Sequence, residues 1–192
     1  MKILHYLSFE AIILINMKNL SNILLIISLL AGVVGCTQQN KEAAQTEKVQ
    51  AVVSAATNFS IKDENQQAVL QQYLIIKDAL VASNSADAQQ AAKNLKQTLT
   101  KTSGFETAQK MVDSIATTSD LTEQRKVFTN LNNELIPLFR KAVLSKGAFY
   151  VQFCPMANEG SGGYWLAQEE EVRNPYYGDE MLNCGEVKET IK

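Results

Sequence analysis

Residues 120–139 read DLTEQRKVFTNLNNELIPLF, and this stretch decides the fold class. Phe128, Leu131, Leu135, Leu138 and Phe139 recur at three- and four-residue steps, the spacing of one face of an α-helix. Asp120 stands where an N-cap belongs, and Glu123, three residues on, completes the pattern of a capping box. Pro137 should kink this helix or end its regular part, because it lacks an N–H and crowds the preceding turn.

Working upstream, the same period appears three more times. From about residue 63, Val69, Leu70, Tyr73, Leu74, Ile76 and Leu80 form a stripe that also takes in Lys77. SNSAD at 83–87 offers a stop and a new N-cap. A second helix follows with Ala88, Ala91, Ala92, Leu95 and Leu99 on one face, small enough to let helices approach closely. Ser103 and Gly104 break it, and a third runs from about 105 to 117 through Phe105, Met111, Val112 and Ile115. Short links make consecutive helices antiparallel neighbours. The expected fold is therefore mainly α, an antiparallel four-helix bundle over residues 61–146. The stripes read as hydrophobic core, with nothing polar on them to suggest a cofactor.

Downstream of Gly147 the character changes. Six of the nine glycines and seven of the fourteen aromatic residues fall from there to the end, which argues for loops and tight turns rather than another helix. AFYVQF at 148–153 is short, aromatic and β-branched and reads as a strand. GYWLA at 163–167 is placed to pair with it across a glycine-rich turn at 160–163. Residues 147–192 are thus expected to be a small loop-rich cap with a short β-hairpin, part of the same domain. Trp165, Tyr164, Tyr176 and Tyr177 read first as the mini-core of that cap, with a sugar or peptide pocket as the lesser reading. Glu169, Glu170 and Glu171 read as a solvated run.

The N-terminal region sets the compartment. ILLIISLLAGVV at 23–34 is an apolar run of twelve, short of the roughly 20 residues a membrane span needs. With Lys18 ahead of it, it matches the apolar region of a secretory signal peptide. It ends in Val33-Val34-Gly35-Cys36, the pattern of a lipobox, so residues 1–35 are expected to be removed and Cys36 acylated. Met17 is the better start, because residues 1–16 carry Glu10 and His5 ahead of a second, complete signal. Residues 36–60, polar and rich in Ala and Gln, read as a flexible tether. The expected location is the cell envelope, periplasmic or surface-exposed, with the lipid bilayer as a partner through Cys36.

Charge and histidine content exclude several functions. The chain carries 18 Lys+Arg against 20 Asp+Glu, and its lysines are spread singly, so nucleic acid is not an expected partner. Between 154 and 192 three basic residues face eight acidic ones. The single histidine, His5, lies in the segment expected to be removed, which rules out Ser-His-Asp or Cys-His catalysis and imidazole metal sites in the mature chain. The carboxylates show no spacing that marks a hydrolase pair. The chain is not expected to be an enzyme.

The segment YVQFCPMANEGSGGYWLAQEEEVRNPYYGDEMLNCGEV at 150–187, with DLTEQRKVFTNLNNELIPL before it, resembles an uncharacterised bacterial domain of unknown function. The resemblance rests on Y-V-Q-x-C-P-M-A, W-L, N-P-Y-x-G-D-x-M-L-x-C-G and E-Q-R-x-x-F, and it covers roughly residues 63–190. Ala167 departs from the serine often found after W-L. Such domains stand alone in lipoproteins or are fused to the C-terminal end of periplasmic adaptors of heavy-metal efflux systems. The resemblance implies a metal-related role and an efflux adaptor as partner.

The sulfur residues carry their own chemistry. Cys154 and Met156, two apart in an extended segment, project to one face. Met181 and Cys184 are three apart, a spacing that a helical turn or tight loop brings together. If the segments meet, Cys154, Met156, Met181 and Cys184 form a set of two thiolates and two thioethers, soft donors that select Cu(I) or Ag(I). Zinc would need carboxylates such as Asp179 or Glu180 as well. The competing reading is a Cys154–Cys184 disulfide that staples a non-catalytic interaction or structural domain by about 3–4 kcal/mol, with the methionines as apolar filler. A switch between the two states stays open.

Overall fold

The computed structural model describes residues 57–192. The signal segment, both candidate start residues, Cys36 and the tether as far as residue 56 lie outside the described residues. Four helices follow in series: α1 (Glu64–Val81), α2 (Ser85–Leu99), α3 (Glu106–Thr117) and α4 (Leu121–Phe139). Each packs mainly on its predecessor. The fold is mainly α, a four-helix bundle with small antiparallel sheets at its C-terminal end.

The helix starts are where side-chain chemistry puts them. Asp63 caps α1 by accepting from the Asn65 and Gln66 amides at 2.9 and 3.0 Å. Asn84, within SNSAD, caps α2 by accepting from Asp87 N–H. Asp120 caps α4 by accepting from Thr122 and Glu123. The reciprocal half of the expected capping box is not made: Asp120 N–H donates to the Thr118 hydroxyl, and Glu123 faces Lys126 instead. Pro137 lies inside the last turn of α4, which ends two residues later.

The core is built from the expected stripes. Leu70, Tyr73, Ile76, Leu80, Leu95, Leu99, Val112, Ile115, Phe128, Leu131 and Leu135 are all fully buried. There are two departures from the expected core. Lys77, Gln124 and Asn132 are also fully buried, so the helical faces do carry placed polar groups. The core also reaches back before α1. Phe59 and Ile61 are buried, and a short strand β1 (Ser60–Ile61) pairs with β2 (Leu144–Lys146). The packed domain therefore begins within the stretch read as tether. Gly147 permits this approach: a side chain there would run into the Asn58 carbonyl at 1.9 Å.

Beyond β2, β3 (Phe149–Cys154) and β4 (Gly163–Ala167) form the expected antiparallel hairpin. Gln152 stands opposite Trp165, and Cys154 opposite Gly163. Its turn is longer than the glycine run suggested, with Asn158, Glu159, Gly160 and Gly162 all at positive φ. A third strand, β5 (Glu186–Ile191), pairs antiparallel with the other side of β3, giving the order β4-β3-β5. The sheet meets the bundle through β4, which lies against α4 and α1. Phe149 reaches into the core beside Phe59 and Phe139.

Candidate metal centre

Cys154 ends the central strand β3 and is fully buried. Thirty residues later the chain returns to it. A 3-10 turn at Gly178–Met181 leads into Cys184, whose N–H donates to the Met181 carbonyl at 3.0 Å. Asn174 holds this loop. Its Nδ2 donates to the Cys184 carbonyl at 2.9 Å, its N–H donates to the Leu182 carbonyl, and its Oδ1 accepts from the Tyr176 amide. Gly185, at φ 144°, lets the loop close on the sheet, because a side chain there would sit 2.8 Å from the Phe153 carbonyl and against the Trp165 ring.

The result is contact between the two cysteines. Their Sγ atoms stand 2.9 Å apart, inside van der Waals contact, and both thiols are free. Cys184 is half-buried. Its thiol is pushed above its ordinary value, first by the hydrogen bond with Cys154, then by burial and by repulsion from the neighbouring sulfur. The Met156 N–H, directed at the same sulfur, acts the other way. The Cys184 thiol thus holds its proton more firmly, and a cation that takes this sulfur as a thiolate must displace that proton.

The two expected thioether residues belong to the same neighbourhood. Met156 follows Cys154 by two residues, and its carbonyl accepts from the Tyr177 hydroxyl at 2.6 Å. Met181 is joined to Cys184 through the backbone bond already described. Both side chains are exposed, Met156 by 53 % and Met181 by 37 %. Tyr164, the neighbour of Gly163, is exposed as well and packs against Phe153 with ring centroids 4.4 Å apart and the planes tilted by 38°. Among the four exposed large apolar side chains of the described residues, Met156 and Met181 sit on the segments that carry the cysteines, and Tyr164 on the strand paired with β3. Asp179 and Glu180 do not complete a zinc-type set. Among the described residues no group of three or more His, Cys, Asp or Glu could hold a metal ion.

The aromatic residues divide. Trp165 and Tyr176 are buried and meet edge to face at 6.0 Å, and Tyr176 continues to Phe128 of α4. They make a mini-core. Tyr73 donates to Asn132 Oδ1 at 2.6 Å and accepts from Leu166 N–H. Asn132 Nδ2 donates to Tyr176 Oη, which donates in turn to the Tyr164 carbonyl at 2.7 Å. Burial pushes the Tyr176 phenol up to about 12 and the Tyr73 phenol well above its ordinary value, so both stay neutral. This network ties α1 and α4 to the edge of β4 and to the loop that leads to Cys184.

Two further features correct the sequence reading. The glutamate run is only partly solvated, because Glu169 forms an ion pair with the buried Lys77, which also meets Asp78 at 2.7 Å. Gln152 Nε2 donates to the carbonyls of Glu169, Glu170 and Glu171, fixing the backbone of that run. Arg125 bridges elements in a similar way, donating to the carbonyls of Pro175 and Leu80 and to the Ser83 hydroxyl. The signal for Lys77 was its place on an apolar stripe. Asn174 offered none beyond standing before a proline.

No helix among the described residues is long and apolar enough to cross a membrane. No curated protein and no solved structure matches the chain. The model of one family, described as "Protein of unknown function (DUF3347)", matches residues 69–147. That match begins within α1, takes in α2, α3, α4 and β2, and stops before the cysteine pair. Residues 69–147 are thus similar to an uncharacterised domain of unknown function.

Proposed function

We propose that this is a non-catalytic, soft-metal-binding domain of the cell envelope that handles Cu(I) or Ag(I). The observation that carries this reading is the contact between Cys154 and Cys184, at 2.9 Å between sulfurs, on segments that also carry Met156 and Met181. Two thiols with thioethers beside them are soft donors, suited to monovalent copper or silver and poorly suited to hard cations. The cysteines supply charge and are the strong ligands; Met156 and Met181 are the weak ones, at the exposed rim. The 2.9 Å contact leaves no room for an ion between the sulfurs, so loading requires Cys184, on its loop, to move outward. Acylated Cys36 would tether the domain to a membrane, where it passes the ion to, or withholds it from, an efflux adaptor.

The test is titration of the reduced chain with Cu(I) against a competing chelator. One ion per chain is expected. Cys154→Ser or Cys184→Ser should abolish binding, and Met156→Leu or Met181→Leu should weaken it. Binding indifferent to both cysteine substitutions would refute the site. The second reading, a disulfide-stapled interaction or structural domain without metal, is favoured by the same short contact. It predicts no tight binding by the reduced form and a large loss of thermal stability on reduction. The anchor has its own test: Cys36→Ser should move the protein into the soluble fraction, and continued extraction only by detergent would refute lipidation.

A further inference from the structure

We infer that Cys154 and Cys184 form a reversible dithiol–disulfide couple that gates the soft-cation site, closing it by oxidation without refolding the domain. The inference rests on the metal-binding reading above, and it concerns what regulates that same site. Three observations carry it. The sulfurs already touch at 2.9 Å, so forming the bond, at about 2.05 Å, needs only a small movement. The backbone around them is set by contacts other than the sulfurs: Cys154 by the ladder to β4, Cys184 by Asn174 and by the Met181 carbonyl. The two sulfurs also differ in access, since Cys154 is fully buried and Cys184 only half-buried.

That difference assigns the order of events with a small-molecule disulfide as oxidant. Cys184 loses its proton to solvent, and its thiolate attacks one sulfur of the external disulfide. The external S–S bond breaks and one thiolate leaves. The Cys154 thiolate then attacks Cys184 Sγ, and the second external thiolate leaves. The protein gives up two electrons and two protons, and the external disulfide becomes two thiols. Two of the four thiolate electrons form the new S–S bond and two pass to the external disulfide, so neither sulfur stays anionic and the strong ligands disappear while the helices and the sheet stay in place. Reduction by an external thiol reverses the sequence, again through Cys184.

The experiment uses the full chain carrying Cys36→Ser, so that only two thiols are present. Oxidised glutathione should remove two hydrogens by mass, leave the far-UV spectrum unchanged and abolish Ag(I) binding. Reduced glutathione should restore the thiols and the binding together. Trapping with a small alkylating agent at short times should label Cys184 before Cys154. Silver binding by the reduced chain with no disulfide formed, or binding that survives oxidation, overturns the gate and leaves the metal reading standing. Clean interconversion with no silver binding in either state overturns the metal reading, and the gate with it. Loss of helical signal on oxidation shows that the couple refolds the domain, which also overturns the proposal.

Discussion

Tyr73 of α1 donates its hydroxyl to Asn132 of α4 at 2.6 Å in the centre of the core. The same oxygen accepts from Leu166 N–H, so one phenol satisfies two buried groups. Tyr73→Phe should therefore destabilise the domain by about 1–3 kcal/mol, the cost of leaving buried polar groups unpaired. A urea unfolding midpoint checks this. Because Tyr176 shares Asn132, combining Tyr73→Phe with Tyr176→Phe should give a non-additive result.

The same network makes an alkaline prediction. The Tyr176 phenol titrates near 10.0 when unfolded and at about 12 in the folded chain. A raised folded value adds stability that is whole below pH 10 and is lost as pH rises towards 12. The melting temperature should fall across that window, and Tyr176→Phe should flatten the fall. An equally steep profile in the variant would show that other groups are responsible.

Lys77 is fully buried and neutralised by Glu169 and Asp78. Lys77→Ala removes the ammonium and leaves Glu169 partly buried without its counter-ion. A loss of about 3–5 kcal/mol is expected. Glu169→Gln should cost less, since Asp78 still faces the lysine. Thermal denaturation of the two variants gives the order, and a larger loss for Glu169→Gln would contradict this account.

Asn174 is a positioning residue for Cys184. Asn174→Ala removes the bond to the Cys184 carbonyl and the acceptor for the Tyr176 amide. Stability should drop by about 1–3 kcal/mol. Disulfide formation with oxidised glutathione should slow, although both cysteines remain. An unchanged oxidation rate would mean that the loop holds Cys184 without Asn174.

The helices were legible because each buries a stripe with the 3.6-residue period, as Phe128, Leu131 and Leu135 do on α4. The β3–β4 hairpin was legible because Val151 and Phe153 face GYWLA across a glycine-rich link. The third strand was not. EVKETI at 186–191 is an edge strand blunted by Glu186, Lys188 and Glu189, and its place is decided by β3, which lies far away in the sequence. The pairings of the buried Lys77 and Asn132 were hidden for a related reason: their partners, Glu169 and Tyr176, come from loops whose path no local pattern gives. The cysteines were visible as candidates because sulfur is rare in this chain. Their contact depends on Asn174 and Gly185, which act through the backbone.

The central claim is that a soft cation is held by sulfur from Cys154 and Cys184. X-ray absorption at the metal edge of the reduced, silver- or copper-loaded chain tests it most directly. The account predicts a first shell of sulfur neighbours alone, which loses a sulfur when Cys184 is replaced by serine. A shell of nitrogen or oxygen neighbours, or a sulfur shell unchanged by Cys184→Ser, would contradict it.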